Sequence, residues 1–347
     1  MFHAIIASFQ QKGPRLFHAA LGPKRKGAVH MAAKAAGEKL SKKEILVSTW
    51  RRIARNWGLY LLLLPAVVLL FMFTYIPMYG IQIAFKDFTP KAGIGGSPWV
   101  GFEHFQTFFN SFQVKSLFTN TISLSLYSLI AGFPFPIFLA LAMNQIRVKR
   151  FKQTLQVATY LPHFISTVVM VGMLLVWLSP SSGLYGNLAK LFGVQEPPNI
   201  LGMAGAFQSI YVWSDVWQHA GWDSIIYIAA LAAVDPSLYE AATVDGAGKW
   251  QKIKYIDIPF LLPTAVILLI MRAGNIMNVG FEKVYLMQNP LNTMVSEIIA
   301  TYVYKIGIIS NQYSLSAAVG LFNNVINFVL LLLVNQASKK MGETSLF

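Results

Sequence analysis

Asp215, His219 and Asp223 stand at i, i+4 and i+8, so a helix through them carries two carboxylates and an imidazole along one face. Trp213, Trp217 and Trp222 are interleaved with them. Two uses fit this mixture. Aromatic planes beside polar groups suit a ligand with apolar faces and hydroxyl edges, as a sugar ring has. Equally, the tryptophans suit an interfacial belt, with the polar stripe packed on a neighbouring helix. Further on, Arg272 can pair with a carboxylate or extend to an interface, and Asn275 and Asn278 follow it as lining candidates. No catalytic constellation emerges. The carboxylates are few and scattered, and the six histidines lack metal-ligand spacing. The absence of cysteine excludes disulfides, thiolate metal sites and cysteine nucleophiles. No G-x-x-x-x-G-K-[ST] occurs, so the chain has no phosphate-cradling loop. Gly93-Ile94-Gly95-Gly96 reads as a turn. No cofactor or metal is expected on this chain.

The elements that must position these residues follow from composition. The 347 residues are 55% hydrophobic and 12% charged, with a mean hydropathy of +0.52. Soluble domains are about one quarter charged. A chain this long and this apolar is expected to face lipid, through helices of roughly 20 residues. The fold class expected is all-α, with six membrane helices. They fall at about 57–81, 118–144, 157–178, 207–233, 260–280 and 315–335. The candidate stripe then lies in the fourth span, and Arg272, Asn275 and Asn278 in the fifth.

The net charge of +14 supports this count. It is not interleaved with base-stacking aromatics on a soluble domain, which argues against nucleic acid. With a cytoplasmic N-terminus, the cytoplasmic segments hold twenty-one lysines and arginines, against six in the outer loops. That bias is the positive-inside pattern, and it places both termini in the cytoplasm. Residues 1–56 form a basic tail in which only Glu38 and Glu44 are acidic. Its first residues, with Phe2, Ile5, Ile6, Phe9, Leu16 and Phe17, suit a membrane surface, and a disordered tail or a start codon read too far upstream fits as well. No cleavable signal peptide is expected. The outer loops 86–115 and 179–203 are rich enough in Gly, Pro and aromatics to form short structured caps. No internal repeat and no second soluble domain is visible.

The loop at 235–259 is too regular for a plain connector. Asp235 suits a helix N-cap, Pro236 the first helical position and Gly246 a left-handed terminator. A second short helix is expected from Lys249 to about Ile256, before Pro259 opens span five. The first helix carries Leu238, Ala241, Ala242 and Asp245 along one stripe, small enough for close approach to a partner. An interfacial hairpin that merely shapes the loop fits the pattern as well.

Here a resemblance enters. Glu240-Ala241-Ala242, Asp245-Gly246-Ala247, Ile256, Ile258 and Pro259 resemble the cytoplasmic EAA motif of binding-protein-dependent ABC importer permeases. Ile258 departs from the leucine usual there. Tyr160 to Ser166, Ser97 to Phe102, Gly221 to Tyr227, Gly280 to Val284 and the tail Glu343 to Phe347 are similar to the LplB-like branch for complex carbohydrates. The likeness covers about 57–347, the expected transmembrane domain, and leaves out the basic tail.

The resemblance implies a type I importer permease in a bacterial cytoplasmic membrane, surrounded by lipid. The helix pair at 235–259 would be the coupling element docked in an ATPase groove, through Leu238, Glu240, Ala241, Ala242, Asp245, Gly246, Ala247 and Pro259. Implied partners are a second related permease, favoured as a heterodimer, two ATPase subunits that carry ATP and Mg, and an extracellular solute-binding protein. The cargo implied is an oligosaccharide or polysaccharide fragment, moved by alternating access. Another solute such as a peptide, an intramembrane enzyme, and a secondary carrier or channel are the alternatives. The last has no use for an ATPase-docking loop.

Overall fold

The structure is a computed structural model and describes residues 54–340. The basic tail, except its last three residues, and the motif Glu343 to Phe347 lie outside the described residues. Two compact units divide the chain, one ending at Tyr79 and one starting at Gly80. Among the described residues the architecture is helical, with a single antiparallel bridge between Lys86 and Trp99. Four helices are long and apolar enough to cross a membrane, and six if each of two bent pairs is one span.

The first unit holds α1 (Trp57–Leu70). A wide π turn, Phe71–Tyr75, follows it. Pro77 stands just beyond and has no N–H to return to the preceding turn, which accounts for the irregular winding.

The second unit is built around one long helix. After α2 (Glu103–Phe109) come α3 (Val114–Gly132) and α4 (Pro134–Asn144), which together make one 31-residue apolar run. Next are α5 (Lys149–Tyr160), α6 (Thr167–Trp177), α7 (Leu184–Leu191) and α8 (Ala204–Ala232). The remaining helices are α9 (Pro236–Val244), α10 (Ile258–Ala273), α11 (Phe281–Met287), α12 (Ile299–Tyr304) and α13 (Tyr313–Lys340). Phe207, Tyr211, Val212, Val216 and Ala220 of α8 bury against Leu124, Val171, Val284, Met287 and Ile298. Its far end, Tyr227 and Leu231, packs on Ala140, Leu261 and Ala265. At Gly221 the helix meets α5 so closely that a Cβ would stand 2.0 Å from the Thr159 carbonyl oxygen.

Three segments differ from the expected helices. The third span is not one helix: 149–164 and 167–177 meet at 96°. Pro162 and the N-cap Ser166 interrupt the run, and the freed Ile165 carbonyl accepts from Gln218 Nε2 of α8 at 2.7 Å. The fifth span ends at Ala273, not at Gly280. The unwound stretch beyond it is tolerated because α13 supplies partners. The Met277 amide donates to Asn327 Oδ1 at 3.0 Å, and Asn323 Nδ2 donates to Asn278 Oδ1 at 3.0 Å. Lastly, the second short helix of the loop is not separate. Residues from Lys249 run through a π turn, Ile253–Asp257, straight into α10. The wider turn removes the conflict between the Pro259 ring and the preceding carbonyls.

Both expected cap segments contain local structure. Phe85 stacks on Trp99 and meets Phe102 and Phe105. The other, from Ser179, contains α7.

Candidate functional site

The polar stripe of α8 lines a cavity of about 380 Å³. Asp215, His219 and Asp223 come from α8, Arg272 from the end of α10, Asn275 and Asn278 from the unwound stretch, and Ser125 and Ser128 from α3. The unwinding matters here. Helix α10 breaks just after Arg272, so the chain crosses the cavity wall as irregular backbone and turns both asparagines into it.

The charges are paired. Arg272 Nη2 donates to Asp223 Oδ2 in an ion pair with both side chains about one third exposed. Asp215 faces two groups, His219 Nδ1 at 3.3 Å and Lys283 Nζ at 3.3 Å. Lys283 is 5% exposed, donates to the Tyr211 carbonyl at 3.1 Å and lies 4.9 Å from the Tyr211 ring centre. Lys283 lies beyond the expected fifth span, 260–280, and is one of the six cations counted in the outer loops. Its partner is 68 residues away, so no local pattern could pair them. The one hint was a cation three residues after Gly280, in the first turn of the helix that the chain re-enters there. Ionisable groups at such depth are costly unless paired, and these pairs leave hydroxyls, amides and the outer edges of charged groups for a ligand. Such a wall can hold a polar, hydroxyl-rich molecule by hydrogen bonds.

A second cavity of about 730 Å³ adjoins it, lined by Trp222 and several apolar residues and sharing Asp223, Arg272 and Asn275 with the first. The Trp222 ring stacks on His163 with centroids 4.5 Å apart. Trp213 and Trp217 are not brought to either cavity. Each is two residues from Asp215, about 200° around the helix. Trp213 instead donates to the Tyr127 hydroxyl at 3.0 Å and meets Phe135 edge-on, while Trp217 is half exposed.

The loop beyond α8 forms a second site at its surface. Helix α9 leaves α8 at a 72° bend. Asp235 caps it, accepting from the Ser237 amide at 2.9 Å, and that bond holds the Asp235 carboxyl below its usual range. The other end closes on Gly246 at φ +75°, with the Gly246 amide bonded to the Thr243 carbonyl and the Ala247 amide to that of Ala242. These are the two bonds of a Schellman cap. Leu238, Glu240, Ala241 and Asp245 are exposed, Ala242 and Ala247 half-buried, and Pro259 exposed at the start of α10. Helix α9 buries none of its residues. Exposed apolar side chains flank the loop, with Val244 at 88% and Trp250 at 81%.

Residues 132–343 match the family described as binding-protein-dependent transport system inner membrane component. The chain is 40% identical over 310 residues to the polygalacturonan/rhamnogalacturonan transport system permease protein YteP of Bacillus subtilis, covering 89% of this chain and 95% of that one. It is 39% identical to protein LplB of the same organism, covering 87% and 94%. A chain of the bacterial alginate ABC transporter, solved in complex with an alginate pentasaccharide-bound periplasmic protein, superposes with a TM-score of 0.78. It is 39% identical and covers 86% of this chain and 99% of that chain.

Proposed function

We propose, from the premise that the chain belongs to the family of binding-protein-dependent transport system inner membrane components, that it is a permease subunit of an ABC importer for oligosaccharides or polysaccharide fragments. The observation that carries the cargo is the cavity. Its wall holds two serines, two asparagines, a histidine, Asp215 and the Asp223–Arg272 ion pair, and it lies beside a larger, more apolar cavity with Trp222 stacked at its edge. Hydroxyl edges of a sugar match the first and apolar ring faces match the second.

In this reading the chain crosses the membrane six times, with the tail and the 235–259 loop in the cytoplasm. Helix α9 docks on an ATPase subunit, which binds ATP and Mg in place of this chain. A second, related permease completes the path, and an extracellular solute-binding protein delivers the sugar. ATP-driven closure of the ATPase pair moves α9 and turns the cavity outward by alternating access.

Reconstitution tests this directly. The permease pair, ATPase and binding protein in liposomes should take up labelled acidic oligosaccharides only with ATP inside and binding protein outside. Uptake of peptides but not of sugars would overturn the cargo assignment and leave the importer reading standing.

A further inference from the structure

Asp257 is wholly buried where the 235–259 loop enters α10, and none of the ion pairs among the described residues includes it. Its oxygens are satisfied by neutral donors from two other elements. Oδ1 accepts from the Tyr239 hydroxyl of α9 and from Asn144 Nδ2 at 3.2 Å, and Oδ2 accepts from Gln145 Nε2 at 2.9 Å. Asn144 Nδ2 also lies 3.3 Å from the Tyr239 hydroxyl. A carboxylate in such a place is costly unless hydrogen-bonded, and removing one donor leaves the rest exposed to that cost.

The surroundings say what this network can do. None of the residues of helix α9 is fully buried, so apolar packing fixes it only weakly to the helices beside it. Another side-chain tie is an exposed bond from Lys252 Nζ to Thr243 Oγ1, at 2.7 Å. Asn144 ends the α3–α4 run, and Asp257 is the residue just before α10. The middle of the α3–α4 run supplies Ser125 and Ser128 to the cavity wall, and the far end of α10 supplies Arg272. Hydrogen-bonded helices are stiff along their axes, so a fixed point at one end is felt at the other.

We propose that Asp257 is a positioning residue for coupling. Its carboxylate locks α9 to the ends of both cavity-lining helices, so that a displacement of α9 moves the two walls together. This rests on the reading of α9 as the ATPase-docking element.

The test uses the full reconstituted complex and reads the ratio of ATP hydrolysis with and without loaded binding protein, per assembled complex. Tyr239→Phe keeps the ring and removes only the O–H. It is expected to lower that ratio, and uptake with it, by about fivefold or more, the lower end of ordinary coupling energies. Asp257→Asn should act similarly, and the double variant should lose no more than the worse single, because both break one network. Should Asp257→Asn fail to assemble, Asn144→Leu takes its place in the cycle. A wild-type ratio in Tyr239→Phe, or losses that multiply in the double variant, would overturn the proposal. Glu240→Lys separates this from failure of the docking reading. If Glu240→Lys loses stimulation while Tyr239→Phe keeps it, docking stands and the Asp257 network is only structural. If both keep it, the docking reading falls as well.

Discussion

Arg272 and Asp223 meet where the two cavities join, so the pair shapes both walls at once. Each is about one third exposed, and solvent screening therefore limits what the pair adds to stability. Its greater effect is to hold both charges in place. Asp223→Asn keeps the shape and removes the counter-charge, leaving Arg272 free to swing across the cavity. We expect normal assembly and at least fivefold slower sugar uptake. Arg272→Gln on top of Asp223→Asn should recover part of that loss, since no lone charge remains, and uptake per assembled complex measures it. Trp217→Ala is expected to leave uptake per complex within about twofold, because Trp217 lies on the far side of α8 from the cavity. Trp222→Ala, which removes the plane stacked on His163, should slow it more.

Two glycines carry the element scale for different reasons. At Gly246 a Cβ would meet nothing within 4 Å, but φ is +75°. Gly246→Val is therefore strained by backbone conformation alone, by about 1–2 kcal/mol. The Schellman cap should loosen and misdirect α9, giving an assembled complex with reduced substrate-stimulated ATP hydrolysis. At Gly221 the backbone is ordinary helix, and the difficulty is the Thr159 carbonyl, 2.0 Å from a Cβ. Gly221→Ala must push α5 and α8 apart, at a cost of about 1–3 kcal/mol. It should lower the melting temperature and the yield of purified complex. The caps of α9 were legible because Asp235-Pro236 and Gly246 act locally. The bend within the third span was not, because Pro162 can sit in a kinked helix as readily as at a break. The Gln218 bond that pays for the break comes from another helix.

For the whole molecule, sidedness is the open geometric property, and a cysteine-free chain makes it measurable. Single cysteines at exposed positions report on each side. Trp250→Cys, beside the α9 loop, should react with an impermeant maleimide only after the cytoplasmic face is opened. Lys190→Cys, in α7, should react on intact cells. Labelling of Trp250→Cys from outside would overturn the six-span arrangement and with it the placement of α9 at an ATPase.

Composition and apolar run length by themselves determined that the chain is a helical membrane protein, because burying so much apolar surface with so little charge leaves lipid as the solvent. The loop motif pointed to the family through its resemblance to the EAA motif, and the family match over residues 132–343 agrees. Spacing put Asp215, His219 and Asp223 on one face, and the structure brings all three to one cavity. Only the tertiary structure decided what they face. Lys283 reaches Asp215, Arg272 reaches Asp223, and Asp257 gathers Tyr239, Asn144 and Gln145. These pairings depend on where helices cross and where α10 unwinds. Those features are set by packing between segments far apart in the chain, where one-dimensional periodicity carries no information.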